Sequence, residues 1–356
     1  MIPYIDTDEF DRHYAALVLP FKPDSLEPDL DAFRGLVRYF TQDEQFLAVR
    51  GGLIVNPEAG EIFYMTPEER AETIRIVLEE RPAAMPVFSG AYGLSRPDVL
   101  ASAVECKTLG VDGIFVMPPT GTMEVTTTMD GAKNPEIWQS HVEAIADATE
   151  LPLIIHPTHP TTAQWGRALP IQSVKAVVET IPSVVGWKMI YGVERAHFQV
   201  ASYLRTLPRH VGILNTPGFG VHDALLRGLV DGAVQGSYNF MKEAQVSHRL
   251  AWDRGDIEEA RRIFVDQIVP IRGAVYADHS RLHLRYKLAT WIRGNVSHPF
   301  MRPPMPRPRR EEAELLYDVF ERSGLSVISR DELERVLAQG DEILGYTPAL
   351  TGAPQA

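Results

Sequence analysis

The sequence has 356 residues and contains only one cysteine, Cys106. A single thiol cannot form an intrachain disulfide, which excludes the disulfide-stapled folds of small secreted proteins and favours a reducing compartment. Residues 1–6 lack the basic and apolar segments of a signal peptide. No apolar run approaches the roughly 20 residues that a membrane-spanning helix requires. We therefore expect a cytoplasmic protein without a membrane partner.

Long runs of positive charge are also missing. The formal net charge is −12, and the one basic cluster, residues 302–310, is interleaved with prolines. Binding to nucleic acid depends on Lys and Arg side chains that neutralise phosphates, so this charge balance argues against a nucleic-acid partner. With 45% hydrophobic residues, the chain is long and apolar enough to bury a large core.

Lysine is scarce, because the sequence has 7 lysines and 28 arginines. Arginine stays protonated at working pH, whereas a partly desolvated lysine can lose its proton. Lys188 ends an apolar, strand-like run at residues 184–188, where a neutral amine could attack a carbonyl carbon and form a Schiff base. The alternative is structural, with Lys188 extending its charge from the strand end into water.

Short apolar runs alternate with helical patterns along the first two thirds of the chain. Most are apolar throughout, which is typical of parallel strands covered on both faces. Eight strand–helix units predict an α/β fold of the (β/α)8 TIM-barrel type, and no Gly-x-Gly-x-x-Gly turn follows the first strand to favour a dinucleotide-binding fold. The predicted strands are residues 15–20, 53–56, 85–90, 113–117, 153–156, 184–188, 211–215 and 232–236.

After the eighth strand the pattern becomes helical only. Predicted helices cover residues 242–254, 257–276, 280–292, 311–323 and 331–344, with a proline-rich connector at residues 303–308. The expected organisation is a barrel over residues 1–240, a C-terminal helical region packed on it over residues 241–325, and an additional helix and tail over residues 326–356.

The residues at the carboxyl ends of the strands are the candidate site, because active sites of such barrels lie there. Besides Lys188, His156 ends the fifth strand, where it could move protons near neutral pH. It could equally be held by backbone contacts in its proline-rich loop. Glu58 follows the second strand and could carry a proton or remain a solvated loop acid. Candidates to shape the substrate pocket are Asn56, Ala59, Gly60, Pro119, Thr120, His159, Gln235, Gly236 and Tyr238.

The spacing of His156 and His159 also suggests a metal site. A zinc site uses at least three protein ligands, and no third ligand stands at a defined spacing. We therefore predict that the protein needs no metal and no organic cofactor.

Several segments, taken in order, resemble a known family. They are residues 15–21 at the first strand, the turn at residues 55–61, the run Met65-Thr66-Pro67-Glu68-Glu69-Arg70, residues 113–118, residues 151–155, the run Val185-Gly186-Trp187-Lys188, and residues 232–239. Their order and spacing resemble the dihydrodipicolinate synthase / N-acetylneuraminate lyase family of class I, Schiff-base-forming lyases. The resemblance spans about residues 14–325 and implies a barrel with a helical C-terminal region, as a homotetramer or homodimer. It also implies that Lys188 forms an imine with pyruvate or another 2-oxo acid.

The chain also departs from the family pattern, and the resemblance is therefore to a divergent member. Glu58 and Ala59 stand where the family has two threonines that bind the substrate carboxylate and relay protons. His156 stands in place of a catalytic tyrosine, and Pro119 and Thr120 in place of a tyrosine pair. A glutamate at a carboxylate-binding position repels a substrate carboxylate by on the order of 1 kcal/mol or more.

The predicted function is that of a class I aldolase or lyase. It would form a Schiff base between Lys188 and a 2-oxo acid and make or break a C–C or C–O bond, with His156 and Glu58 as a non-standard proton relay. One alternative is a hydratase-aldolase or dehydratase acting on a bulky or sugar-derived 2-oxo acid. Another is a barrel that binds a small ligand without converting it.

Overall fold

The computed structural model describes residues 7–119, 128–215 and 221–343. Its strands are β1 (His13–Ala16), β2 (Gly51–Val55), β3 (Val87–Gly90), β4 (Gly113–Val116), β5 (Leu153–Ile155), β6 (Thr158–Thr162), β7 (Gly166–Ala168), β8 (Val184–Met189), β9 (Gly212–Asn215) and β10 (Gly232–Gln235). Eight of them close into a parallel barrel in the order β1-β10-β9-β8-β5-β4-β3-β2. Strands β6 and β7 form a separate antiparallel hairpin. The predicted (β/α)8 fold is confirmed.

Helices follow the barrel strands in alternation. They are α1 (Leu30–Thr41), α2 (Glu44–Ala48), α3 (Pro67–Glu80), α4 (Arg96–Leu109), α5 (Glu136–Thr149), α6 (Ile171–Thr180), α7 (Glu194–Leu204) and α8 (Val221–Leu226). The starts of α3 and α4 are encoded locally, because Thr66 with Glu69 and Ser95 with Asp98 form capping boxes. Such caps satisfy backbone amides that the first helical turn leaves open.

The C-terminal region is helical, as predicted. It contains α9 (Tyr238–Asp253), α10 (Ile257–Ile263), α11 (Val269–Val275), α12 (Leu282–Ile292), α13 (Arg310–Arg322) and α14 (Arg330–Ile343). The predicted helix over residues 257–276 is helical from residue 257 to residue 275, with a π-helical turn at Phe264–Ile268 between α10 and α11. Pro270 explains this turn, because its ring has no N–H to donate and crowds the carbonyl four residues earlier. A π-turn is one way to accommodate such a misfit.

The barrel interior is filled by apolar side chains from all eight strands. The members of this cluster on the strands are Tyr14, Ala16, Ile54, Phe88, Phe115, Ile154, Val185, Leu214 and Val234. A second and larger apolar layer lies between the strands and the surrounding helices. The interior is therefore a packed core, and a ligand must bind at an end of the barrel. None of the helices within the described residues has the length and apolar character to cross a bilayer.

The predicted domain boundaries remain a prediction. The one at residue 240 falls within α9, which begins at Tyr238, and the C-terminal tail beyond residue 343 lies outside the described residues. Helix α12 lies within the C-terminal region, and most of its residues are buried. It packs against the turn at Glu58–Gly60, so the C-terminal region borders the carboxyl ends of the strands.

Candidate active site

A cavity of about 850 Å³ opens at the carboxyl ends of the barrel strands. The side chains of Lys188, His156 and Glu58 all line it. Helix α12 contributes His283 and Tyr286 to its lining. The volume lies within the range of about 300–1,000 Å³ that is common for small-molecule sites.

Lys188 lies on β8 and points into the barrel. A Cβ atom on Gly186 would contact the interior side chains of Leu214 at 2.6 Å and Ile154 at 3.3 Å, so position 186 faces inward. Side chains alternate along a strand, and Lys188, two residues further, faces the same way. Its Nζ atom lies 5.4 Å from the centre of the Phe115 ring, which forms part of the cavity wall.

The amine of Lys188 differs from the other lysine amines in its surroundings. It makes no hydrogen bond or ion pair with any described residue, and it is partly buried. Burial lowers the pKa of Lys188 to about 8, although the negative charge of Glu58 opposes that shift. Among the remaining lysines, carboxylates pair with Lys22, Lys107, Lys133, Lys242 and Lys287, and Lys175 lies over the ring of Tyr203.

His156 follows β5 and is held on two sides. Its ring stacks on Phe115 with 5.3 Å between ring centres and an interplanar angle of 20°. Its Nε2 atom lies 2.9 Å from Glu58 Oε2 and 3.2 Å from Thr158 Oγ1. The Nδ1 atom is buried and has no hydrogen-bond partner among the described residues.

The protonation states of Glu58 and His156 follow from the direction in which burial and neighbouring charges shift their pKa values. Burial alone would raise the pKa of Glu58, but His156, His283 and Lys188 together hold it well below its usual range. Burial, and then the charge of Lys188, lower the pKa of His156. Glu58 is therefore an anion that can only accept a hydrogen bond, so the hydrogen of a neutral His156 is on Nε2. The lone pair of the ring is then on the buried Nδ1 atom.

The reactivity of Lys188 should depend steeply on pH. Because the folded-state pKa of Lys188 is lowered from 10.5 to about 8, its neutral fraction rises roughly tenfold between about pH 6 and 7 and levels off above about pH 8. An ordinary lysine would level off only above about pH 10. We expect the rate of a small acylating reagent at Lys188, followed by peptide mass spectrometry, to show this early plateau. A plateau that Lys188 reaches only above about pH 10 would contradict the assignment.

Three of the predicted pocket residues line this cavity: Ala59, Gln235 and Gly236. Gly236 also makes room for α12, because a Cβ atom there would lie 2.4 Å from the Tyr286 ring. Gln235 accepts hydrogen bonds from Ser237 and Gln245, so its amide is fixed by the structure.

Three other predicted pocket residues lie elsewhere. The Asn56 side chain turns toward α3, where it donates to the Arg70 carbonyl and accepts from Thr73. Gly60 lies close to the Leu17 carbonyl, because a Cβ atom at this position would be 2.8 Å from its oxygen. Tyr238 is buried as the first residue of α9, and its hydroxyl lies 2.7 Å from His13 Nδ1. For Asn56 and Tyr238 the side-chain direction is set by a turn and by a helix start, and strand alternation cannot predict it.

His159 and Pro119 line a second, adjoining cavity of about 340 Å³. Both ring nitrogens of His159 are engaged, since Nδ1 lies 2.7 Å from the Pro160 carbonyl and Nε2 accepts from the Gly131 amide. The second cavity shares Glu58 and Arg167 with the first. Thr120 lies outside the described residues.

Within the described part of the chain, the group of side chains with a geometry suited to a metal ion is Asp11, His210 and Asp231. These residues precede β1, β9 and β10, at the end of the barrel opposite to Lys188. Asp231 is engaged there by Arg205 and by the Ile213 amide. His156 and His159 are not part of that group.

The polar residues of the main cavity that sequence reasoning missed include His283 on α12 and Arg167 on β7. Neither follows a barrel strand, so the rule that selected strand ends could not select them. The sequence signal for His283 is its position four residues before Lys287 in a largely apolar helix. This signal can be interpreted only when the partner of Lys287 is known.

Comparisons with known proteins agree with this architecture. A model of the dihydrodipicolinate synthetase family matches residues 9–322. The 4-hydroxy-tetrahydrodipicolinate synthase of Maridesulfovibrio salexigens is 24% identical over 86% of this chain and 96% of its own. An uncharacterized DapA-like lyase of Thermofilum pendens is 25% identical over 87% of this chain and 96% of its own.

Solved structures show the same fold. A monomeric dihydrodipicolinate synthase variant superposes with a TM-score of 0.75 at 21% identity, covering 91% of this chain and 100% of the other. The N-acetylneuraminate lyase of Fusobacterium nucleatum superposes with a TM-score of 0.69 at 17% identity, covering 88% and 98%. The protein is thus a lyase built on a (β/α)8 barrel. Because the family model covers most of the chain, it belongs to the dihydrodipicolinate synthetase family, whose members are class I, aldolase-type lyases.

Proposed function

We propose that the protein forms a Schiff base between Lys188 and a 2-oxo acid, and that it then makes or breaks a C–C or C–O bond of that substrate. One observation carries this proposal: the Lys188 amine faces the cavity without an ion pair to any described residue, and its pKa is lowered to about 8. A neutral amine is the form that attacks a carbonyl. A lysine that served only as a surface charge would not require desolvation.

His156 and Glu58 form the proposed proton relay. His156 Nε2 donates a hydrogen bond to the Glu58 carboxylate at 2.9 Å, and both side chains line the cavity. This hydrogen-bonded pair is the unit that would accept protons from the substrate and return them. After the imine forms, its positive nitrogen draws electrons from the adjacent bonds, so a proton or a carbon fragment can leave from the neighbouring carbon. His156 would take or return that proton.

The substrate carboxylate needs a cation other than Lys188. Arg167 is exposed on β7, lines both cavities, and makes no ion pair with a described residue. A guanidinium binds a carboxylate through two parallel hydrogen bonds. We infer that Arg167 binds the carboxylate and that its positive charge offsets the repulsion from Glu58.

The size of the site favours the hydratase-aldolase or dehydratase alternative over condensation of two small acids. The main cavity of about 850 Å³ adjoins a second one of about 340 Å³. The wall of the second cavity is largely apolar, with Phe63, Tyr92, Met117 and Pro119 among its residues. A substrate with an aromatic or long side chain fits this wall better than a small polar acid does.

Borohydride reduction followed by peptide mass spectrometry tests the proposed function. The compounds are pyruvate, 2-oxobutanoate, an arylidene pyruvate and a sugar-derived 2-keto-3-deoxy acid. We expect a stable mass addition on the peptide that contains Lys188 and on none of the other lysine peptides, with the largest yield from a bulky acid. His156→Ala should keep this labelling and lose turnover.

Other outcomes of this experiment would exclude the proposal. Labelling spread over several lysines would show that Lys188 has no special reactivity. Thermal stabilisation by an acid without any labelling would favour a barrel that binds its ligand but does not convert it. Loss of labelling in a folded His156→Ala protein would contradict the relay.

We further infer a cytoplasmic homotetramer or homodimer. The inference is supported by the assembly usual in the family, although one of the similar structures is described as monomeric. Light scattering on the purified protein would decide between these states.

A further inference from the structure

Helix α12 is fixed to the turn that carries Glu58. Lys287 on α12 pairs with Glu61, and both side chains are fully buried, at 0% and 1% exposure. Lys287 also donates to the Phe300 carbonyl at 3.1 Å, and the second oxygen of Glu61 accepts from the Arg302 amide at 3.1 Å. A buried ion pair with such additional hydrogen bonds holds its partners in one geometry.

His283 lies on the same face of this helix. Residues four apart in an α-helix lie one above the other, so His283 stands one turn before Lys287. Glu61 ends the short helical turn that begins with Glu58. The ion pair that fixes Lys287 to Glu61 thereby places His283 over the Glu58 end of the turn, and the ring lines the cavity together with Lys188.

A second contact fixes the rotation of the helix. The Tyr286 ring packs against Gly236 at the end of β10, where any Cβ atom would collide with it. The Tyr286 hydroxyl donates to the Tyr276 hydroxyl. With Tyr286 and Lys287 both seated, the adjacent turn of α12 cannot rotate His283 away from the cavity.

His283 is partly exposed to the cavity, and it makes no hydrogen bond with a described residue. In this cavity the negative charge of Glu58 raises the pKa of His283, whereas the charges of Lys188 and His156 lower it. Burial is the largest influence and lowers the pKa of His283. The ring is therefore neutral at pH 7 and can accept a proton.

We propose that His283, supplied by the C-terminal helix and positioned by Lys287 and Glu61, is a second catalytic acid/base that serves Schiff-base formation at Lys188. The inference rests on the proposed function. His156 and Glu58 act after the imine has formed, whereas His283 acts while it forms.

The proton is conserved through this step. Neutral His283 takes a proton from the Lys188 ammonium group, and the free amine adds to the substrate carbonyl. The nitrogen proton then passes to the carbonyl oxygen, which gives a carbinolamine. His283 returns its proton to the hydroxyl group, the C–O bond breaks, water leaves, and the nitrogen lone pair forms the C=N bond. The sum is an ammonium and a ketone giving a protonated imine and water.

Rapid quenching with borohydride tests this role by measuring how fast label appears at Lys188. The probe is pyruvate, or the best-labelling acid of the panel if pyruvate does not react. General acid–base groups contribute about 10²–10⁴-fold to rates, so we expect His283→Gln to slow imine formation by about a hundredfold or more. The final yield at long times should be unchanged. The rate of the variant should also follow the ionisation of Lys188 alone and fall more steeply below pH 8 than that of the wild type.

Added imidazole distinguishes catalysis from packing. It should restore part of the rate in His283→Ala, because a free base can occupy the space that the side chain left. The control is His298→Gln, which removes a half-buried histidine that stacks on Phe300 outside the cavity. A wild-type rate and pH profile in His283→Gln would overturn the inference, as would a slow rate that imidazole does not restore. If no acid labels the wild-type protein, the proposed function itself fails.

Discussion

Replacing Lys188 with alanine is expected to abolish labelling by borohydride and to lower kcat/KM by at least about a thousandfold, or about 4 kcal/mol. The amine is the group that becomes covalently bound, so no neighbouring side chain can replace it. Lys188→Arg should be equally inactive, although it keeps the charge and much of the volume, because a guanidinium does not lose its proton at working pH. Activity on the best acid of the panel and intact-protein mass spectrometry give the two readouts.

Lys175→Ala is the matched control for this prediction. Lys175 is the other lysine without a carboxylate partner in the described residues, and it lies over the Tyr203 ring on the outside of the barrel. It should retain wild-type activity. Substantial turnover in a folded Lys188→Ala protein would show that the reaction does not proceed through an imine at this residue.

Replacing Lys287 with methionine should cost about 3–5 kcal/mol of unfolding free energy, because it leaves the Glu61 carboxylate buried without its counter-charge. For a chain of this size the melting temperature should fall by roughly 4–7 °C. The double variant Glu61→Gln/Lys287→Met removes both charges and keeps the volumes, so it should recover most of that loss. Calorimetry or denaturant titration measures the difference.

The comparison of the single and double variants isolates the ion pair. If the double variant is as unstable as Lys287→Met, the cost comes from lost packing or from the hydrogen bond to Phe300 and not from an unpaired charge. If Lys287→Met loses less than about 1 kcal/mol, the pair does not fix α12 to the turn, and the placement of His283 needs another explanation.

The sequence predicts most of the barrel because its strands are short apolar runs, a signal that is local. Lys188, His156 and Glu58 line one cavity in the structure for the same reason, since each follows a run whose end can be read from neighbouring residues. Asn56 and Tyr238 show the limit of this reasoning. Both also stand just after a strand, but a left-handed backbone at Asn56 and the start of a helix at Tyr238 turn their side chains away.

The contribution of α12 could not be predicted, because it depends on a contact between distant segments. The scarcity of lysine singles out Lys287 as strongly as Lys188. The two differ only in their surroundings: Lys287 faces Glu61 in a sealed interior, whereas Lys188 faces an open cavity. The presence of a lysine in the sequence thus does not show whether it is structural or reactive. The residues that surround it in the folded protein do.

The pairing of Glu61 with Lys287 spans 226 positions of the chain. During synthesis, the turn that carries Glu58 and the strand that carries Lys188 leave the ribosome long before α12 does. Contacts of such large sequence separation form late, because the chain between them must first be ordered. A nascent barrel therefore carries Lys188 before the wall that completes the site exists, and in an unfinished or truncated chain the amine would be more exposed to water and more often protonated. Because His283 lies on α12, which is synthesised after the barrel strands, Lys188 reaches its full reactivity only when the C-terminal region has been made.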